Sequence, residues 1–296
     1  MTDPDAGSEV PPLDPQAGIG ATLDRAAAML RAAGIDSARL DARLIVAAAT
    51  GWSREELLVE PRRVPGEGAF EAIAAMVQRR AGREPLSHIL GTREFWSLPF
   101  RVTADVLTPR PESETLIEAV VARARGRTAP AALLDLGTGS GCLLLALLSE
   151  LPHAIGTGVD RSAAALAVAA GNARALGLAG RATWRQGSWT EGLDGRFDVI
   201  VSNPPYIPSS DIAGLADEVA RFEPRAALDG GRDGFDAYRA LMPGVRRLVA
   251  RGGLVAFEVG AGQAGAVAAL AAASGLTPAG TCRDLAGIER VVLAEG

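Results

Sequence analysis

From about residue 110 the sequence alternates between short apolar runs and helical stretches, and this alternation restricts the fold more than any other feature. The runs Ala132 to Leu136, Ile155 to Val159, Ala182 to Arg185, Phe197 to Val201 and Leu254 to Glu258 have the length and composition of strands. Helical patterns lie between them, at Leu143 to Leu148, Ala163 to Leu176 and Tyr238 to Val249. A last helix, Ala264 to Ala273, precedes two strands expected around Thr281 and Val291. Strands separated by helices in this way form a parallel sheet covered on both faces, an α/β fold. Ligands in such sheets bind outside the carboxyl ends of the strands, near the point where the strand order reverses.

The chain before this region reads differently. Residues 1–17 carry Asp3, Asp5, Glu9, Asp14 and four prolines but no arginine, the composition of a disordered tail. Residues 18–85 read as a small all-α domain of four or five helices. Leu23, Ala27 and Leu30 recur at helical spacing up to Gly34, and Leu40, Leu44, Ile45 and Ala48 up to Gly51. Ser53 followed by Glu56 is a capping-box signature, and a fourth helix runs through Phe70, Ile73 and Val77 to Gly82. Residues 86–109 hold strand formers broken by Gly91 and Pro99, which predicts one or two β-hairpins linking this domain to the α/β domain of 110–296.

Composition excludes several classes. With 48% apolar and 22% charged residues among 296, the chain can bury a full core. There is no lysine, all thirty basic residues being arginine, which removes Schiff-base lysines, P-loop lysines and lysine general bases. The formal charge of −5 belongs to the tail, because the remainder holds 31 acidic and 30 basic residues. Charge therefore says little about a nucleic-acid partner. Arg79-Arg80-Arg83 and Arg123-Arg125-Arg127 are the basic clusters that stand out, and the second reads as a solvated helix end. No run of ~18 apolar residues suggests a membrane span. The N-terminus lacks a signal peptide, so a cytoplasmic location is expected. Cys142 and Cys282 make neither a disulfide framework nor a zinc cage and read as packed residues, and no metal site is expected.

Every chemical motif falls at a strand end. Asp135-Leu136-Gly137-Thr138-Gly139-Ser140-Gly141 joins the first strand to a helix. Its glycines allow positive φ and close approach of a ligand to the backbone, although a tight turn without a ligand has the same residues. The G-x-G-x-G spacing differs from the dinucleotide fingerprint. Preceded by an acid, it resembles the first motif of class I S-adenosylmethionine methyltransferases. Asp160, at the end of the second strand, suits the two ribose hydroxyls of an adenosine, or else an N-cap. The third strand ends in Gly187-Ser188-Trp189, where Trp189 either flanks an adenine or fills a half-buried core position. The methyltransferase class commonly has Asp or Asn at Ser188.

The fourth strand runs into Asn203-Pro204-Pro205-Tyr206. Two consecutive prolines make a rigid elbow. An amide or aromatic amino nitrogen is a poor nucleophile, so an enzyme that methylates one must hold the NH2 by its hydrogens and aim the nitrogen at the methyl group. The Asn203 side-chain oxygen and the Pro204 carbonyl supply two acceptors, neither proline adds a competing donor, and Tyr206 can cover the flat face. The proton leaves once methylation has made the nitrogen acidic, so no strong base is required.

This motif with this glycine loop resembles the amino-group methyltransferases of adenine, cytosine and glutamine amides. The flanking residues resemble a narrower family, the release-factor glutamine methyltransferases of the PrmC/HemK type. They are Arg83-Glu84-Pro85-Leu86 through Gly91, Phe95-Trp96, Phe100, and Thr108-Pro109-Arg110-Pro111-Glu112-Ser113-Glu114. Downstream they are Arg221-Phe222-Glu223-Pro224 to Ala227-Leu228, Gly230-Gly231, Asp233-Gly234, and Asp284-Leu285 to Glu289-Arg290. The resemblance runs from about residue 20 to the end. It implies a class I methyltransferase Rossmann-like sheet with a helical substrate-recognition domain. The implied substrate is the glutamine of the Gly-Gly-Gln loop of peptide chain release factors, methylated at N5, with S-adenosylmethionine as methyl donor and S-adenosylhomocysteine as product. It further implies that Gly137, Thr138, Gly139, Ser140, Gly141, Asp160, Trp189 and Asn203 hold the cofactor and that Asn203, Pro204, Pro205 and Tyr206 hold the glutamine, with Phe100 and Arg110 either bordering the pocket or purely structural. Thr108 stands where an apolar residue is expected and Ser113 where a threonine is. A glutamine methyltransferase of a ribosomal protein and a nucleic-acid adenine-N6 methyltransferase are the enzyme alternatives; a cofactor-binding scaffold with a dead site is the non-enzyme one. Nothing suggests an obligate oligomer.

Overall fold

The computed structural model describes residues 12–124 and 131–296, so the expected tail up to residue 11, with Asp3, Asp5 and Glu9, and Arg125 and Arg127 of the second basic cluster lie outside it. The chain divides into two compact units, one ending at Leu90 and one starting at Gly91. The boundary falls within the segment 86–109.

The first unit holds α1 (Ile19–Ala32), α2 (Ala38–Thr50), α3 (Arg54–Val59), α4 (Glu67–Ala81) and α5 (Leu86–Leu90). Its core gathers Ile19, Leu30, Ile45, Val46, Ile73 and Val77, all with 0% exposure. The Ser53 capping box forms in full: the hydroxyl accepts from the Glu56 amide and the Glu56 carboxylate accepts from the Ser53 amide. Two expectations change here. Leu40, expected on the buried stripe of α2, is 54% exposed, while Asp41 is buried. The helix turns this acid inward because Arg80 of α4 meets it there, Nε to Oδ2 at 2.7 Å. Leu86–Leu90 is helical rather than part of a hairpin.

The second unit opens with one hairpin, β1 (Thr92–Phe95) and β2 (Leu98–Arg101). The turn between them is made by Trp96 and Ser97 with φ of 52° and 56°, the left-handed pair that a two-residue hairpin requires, here without glycine. A short 3-10 turn, Pro111–Ser113, leads into α6 (Glu114–Ala124). Then follow β3 (Ala132–Leu136), α7 (Cys142–Glu150), β4 (Ile155–Asp160), α8 (Ala163–Ala175), β5 (Ala182–Gln186) and β6 (Phe197–Ser202). After α9 (Asp217–Phe222) and α10 (Asp236–Leu248) come β7 (Val249–Glu258), α11 (Ala264–Ala273), β8 (Thr277–Arg283) and β9 (Glu289–Glu295).

The seven-stranded sheet has the order β5-β4-β3-β6-β7-β9-β8, with β9 antiparallel to both its neighbours and the first five strands parallel. The chain winds outward from β3 through β4 to β5, then returns to place β6 beside β3. The switch point therefore lies between the carboxyl ends of β3 and β6. Separate apolar clusters, one including α6 and α7 and the other α10 and α11, bury side chains of the sheet. The central strands β3, β6 and β7 are thus largely buried apolar runs rather than alternations. Among the described residues no helix is long and apolar enough to cross a membrane.

Candidate active site

A cleft of about 780 Å³ opens at the carboxyl ends of the parallel strands, over the switch point. The glycine loop forms one wall. Gly137, Gly139 and Gly141 have φ of 73°, 54° and 80°. The amides of Gly137 and Thr138 both donate to the Val159 carbonyl at 2.9 Å, so the end of β4 pins the loop. A Cβ on Gly137 would sit 3.4 Å from the Trp189 indole, which itself has φ of 49°. The tryptophan edge thus lies at ordinary contact distance from the loop, and it is the positive φ of Gly137 that calls for glycine.

Beneath the loop Asp135 is fully buried. It accepts from the Thr138 hydroxyl at 2.6 Å, while its Oδ1 has no partner. Burial pushes its carboxyl up to about 7; the Thr138 hydrogen bond opposes this and the Asp160 charge adds to it. Asp160 accepts the Gly139 amide on Oδ2 and the Ser162 amide on Oδ1, each at 2.9 Å. Ser162, accepting from Ala165, takes the N-cap role in α8 that sequence alone allowed for Asp160. The Asp160 carboxylate lines the cleft, and each oxygen keeps acceptor capacity beyond its one backbone bond.

The second wall is the segment after β6. Ser202 fixes its start, its hydroxyl donating to the Leu136 carbonyl at 2.6 Å across the switch point. Asn203 and Pro205 line the cleft, Pro204 is buried, and Tyr206 is partly buried behind them. Burial pushes the Tyr206 phenol up to about 12, so it is neutral at working pH. The elbow is braced from outside. Gln263 donates to the Tyr206 carbonyl at 2.9 Å, and Ile207 donates its amide to the Leu228 carbonyl and accepts the Gly230 amide on its own carbonyl. A Cβ at Gly234 would collide with that same Tyr206 carbonyl, which explains the glycine at this position.

Of the expected site residues, Gly137, Thr138, Gly139, Ser140, Asp160, Trp189, Asn203 and Pro205 line one cavity, with Ser188 exposed at its edge. Gly141, Pro204 and Tyr206 stand behind that surface. Arg110 borders the cleft and pairs with Glu223, whose carboxyl burial pushes up while Arg110 and Thr108 hold it down. The polar Thr108 is thereby explained: buried at 6% exposure, it helps hold the Glu223 carboxyl down. Phe100 is structural. It has 0% exposure and packs edge-on against Phe95 at 6.1 Å between centroids. Burial also pushes the Cys142 thiol up to about 12, which removes it as a nucleophile.

Three supporting residues receive no role from the motifs. Asn172 of α8, 1% exposed, ties the glycine loop to the hairpin: its Nδ2 donates to the Ser140 carbonyl at 2.9 Å and its Oδ1 accepts the Arg101 amide at 2.8 Å. Ser113 accepts from the Asn203 side chain at 3.3 Å. Glu258 is a 2% exposed acid at the end of β7, and burial pushes it up to about 7. Its one signal in the sequence is an acid closing an apolar strand.

Comparison with known proteins agrees with this architecture. The PrmC N-terminal domain family matches residues 21–91 and the Methyltransferase small domain family matches residues 111–221. A release factor glutamine methyltransferase of Rhodospirillum rubrum is 49% identical over 276 residues, covering 93% of this chain and 84% of the relative. Its counterpart in Bradyrhizobium diazoefficiens is 46% identical over 271 residues, covering 90% of this chain and 91% of the relative. The one in Caulobacter vibrioides is 46% identical over 265 residues, covering 89% and 91%. At such identity over nearly the whole of both chains, and with the switch-point cleft where the motifs place it, this chain belongs to the release factor glutamine methyltransferase family.

Proposed function

We propose that this chain transfers a methyl group from S-adenosylmethionine to the side-chain amide nitrogen of the glutamine in the Gly-Gly-Gln motif of peptide chain release factors. The observation that carries this reading is the placement of Asn203 on the cleft wall. Its NH2 is taken up from behind by Ser113 at 3.3 Å, which leaves its carbonyl oxygen for a donor in the cleft.

The cleft suits the methyl donor. The cradle that a Cβ on Gly137 would fill against Trp189, the Asp160 carboxylate and the wall at Ser188 are of the kind that holds an adenosine. Gly137 to Gly141 and Asn203 complete the set. When bound, S-adenosylmethionine supplies an activated methyl group, so the protein's task is positioning. Asn203 Oδ1 and the Pro204 carbonyl accept the two hydrogens of the substrate amide, and the rigid Asn203–Pro204–Pro205 backbone fixes their separation. Tyr206, neutral and braced by Gln263, backs the elbow. Orientation of this kind contributes up to ~7–11 kcal/mol in ideal intramolecular reactions. The enzyme acts as a monomer in the cytoplasm, on a protein rather than a nucleic acid.

The test is incubation of the purified chain with labelled S-adenosylmethionine and release factor, alongside total RNA, DNA and ribosomal proteins, followed by mass spectrometry. One methyl group at the Gly-Gly-Gln glutamine is expected. Label in nucleic acid or in a ribosomal protein instead would overturn the reading.

A further inference from the structure

We infer that Gly244 and Arg247 of α10 are positioning residues for the methyl donor, holding the turn Ser188–Glu191 so that the Trp189 indole stands beside the glycine loop; this rests on the functional reading above. The Glu191 amide donates to the Ser188 carbonyl at 3.0 Å, which closes a four-residue turn around Trp189 and Thr190. Trp189 has φ of 49°, and Thr190 does not share the positive φ. A turn with positive φ at its first central position alone is ordinarily made with glycine there. A tryptophan in that place is strained, and such strain persists only where the surroundings over-determine it. The closing hydrogen bond does not do so, since it is equally compatible with relaxed turns. The constraint must come from outside the turn.

The helix α10 supplies it. In its middle stand Pro243 and Gly244, the two residue types least favourable to a helix interior. Gly244 is accounted for by Thr190, 8% exposed, which lies directly against it: a Cβ at Gly244 would overlap the threonine side chain. Three residues on, and so on the same face of the helix, Arg247 reaches the same segment. Its Nη1 donates to the Leu193 carbonyl at 2.9 Å and its Nη2 to the Thr190 carbonyl at 3.2 Å. Leu193, 4% exposed, belongs to the apolar cluster that holds Leu241 and Val245 of α10. Upstream, the Gly187 amide donates to the Asp160 carbonyl at 3.1 Å. The chain is thus fixed on both sides of Trp189.

These contacts and the strain are linked. Returning Trp189 to negative φ redirects the chain on its carboxyl side, so it would lift Thr190 from Gly244 and its carbonyl from Arg247. The helix therefore opposes the relaxation at the residue next to the tryptophan. Trp189 lines the cleft together with Gly137, Asp160 and Ser188, the wall assigned above to the adenosine. An indole held there before the cofactor arrives loses no freedom on binding, and preorganisation of this kind is expressed as affinity. A lysine could not take the place of Arg247, because a single ammonium does not present a planar fork to two carbonyls. Asn203 and the proline elbow form the other wall, so the device acts on cofactor binding more than on methyl transfer.

The experiment uses the full chain. S-adenosylhomocysteine is titrated calorimetrically, and Trp189 emission is taken as the difference between each chain and its Trp189→Phe counterpart. Gly244→Ala is expected to weaken binding by about 10- to 100-fold, the effect small misplacements produce, even though alanine is the better helix former. Arg247→Met, a change at an exposed residue, is expected to weaken it by about 10-fold, roughly the worth of one charge-assisted hydrogen bond. Both should shift the Trp189 emission, and both should raise the KM for S-adenosylmethionine far more than they lower kcat. Trp189→Gly supplies the discriminating background, because glycine adopts the positive φ without strain and needs no support. There, Gly244→Ala and Arg247→Met should each change affinity by less than about twofold. Losses that persist undiminished in that background would overturn the inference, as would an Arg247→Met chain with wild-type affinity and emission. A wild type that binds S-adenosylhomocysteine but labels no release factor would overturn the functional reading and leave this inference standing.

Discussion

Asp41 in the helical unit and Asp135 in the sheet unit are both aspartates with almost no exposure, at 4% and 0%. Their surroundings differ. Asp41 meets the Arg80 guanidinium at 2.7 Å, and Arg80 also donates to the Glu84 carbonyl, so charge answers charge inside the core. Asp135 meets a single hydroxyl, keeps one oxygen without a partner and has its carboxyl pushed up to about 7. Glu258 shares that condition. In the helical unit a buried acid is part of the architecture, because an unpaired one would cost more than the fold can offset. In the sheet unit the incompletely met acids sit at carboxyl ends of strands around the cleft, where perturbed carboxyl groups concentrate in functional sites.

Substitutions should therefore separate stability from activity along the same division. The largest effect is expected from Asp41→Ala, which takes the carboxylate away from the buried Arg80 guanidinium. It should cost about 3–5 kcal/mol in denaturant unfolding. A loss below about 1 kcal/mol would mean that the pair is ornamental and the contrast false. Next comes Asn203→Ala, expected to slow single-turnover methyl transfer by about 10²–10³-fold, or roughly 2.7–4 kcal/mol of barrier. Calorimetric affinity for S-adenosylmethionine should fall much less than the rate, since Asn203 is one of several residues that hold the cofactor, and the unfolding midpoint should stay close to wild type. An equal loss of cofactor affinity would merge the two roles given to this wall of the cleft.

Asp160→Ala should weaken cofactor binding by about 1.5–3 kcal/mol, the value of hydrogen bonds to a charged group, with little change in the release-factor KM. A change confined to KM would move Asp160 from the cofactor to the substrate. The smallest effect per measurement is a slope. A buried carboxyl with a raised folded-state value keeps a proton that the unfolded chain gives up. Stability then falls as the pH rises from the ordinary value near 4 to about 7, by at most about 1.4 kcal/mol per pH unit for each such group. Asp135→Asn should remove its share of that slope in urea midpoints taken across this window, and Glu258 should retain its own. An unchanged slope would show that Asp135 is ionised in the folded protein.

Much of the fold was legible because its signals are local. The strand β3, the helix α11 and the Ser53 capping box lie at the positions that apolar runs and cap residues indicate. The misses share a cause as well. Leu40 faces solvent because Arg80, thirty-nine residues beyond Asp41, draws the acid inward and rotates the helix. Leu86–Leu90 has residues that suit a strand yet folds as one turn of helix, as short apolar runs often do when context decides. Phe100 belongs to a conspicuous motif but lies in the core, since an aromatic residue at a strand end can face either the cleft or the packed interior.

The sequence by itself determined the α/β alternation, the glycine loop, the acid that follows β4 and the proline elbow after β6, because each depends on residues adjacent in the chain. It determined the kind of chemistry too, since two acceptors on a rigid turn suit the NH2 of an amide or an aromatic amine. Only the tertiary structure decided what stands behind those residues. Ser113, Asn172, Glu258 and Gln263 come from four separate elements and are brought to the motifs by sheet topology and helix packing. Ser113, Asn172 and Gln263 act through hydrogen bonds across tens of residues and Glu258 through burial, and neither depends on neighbours in the chain.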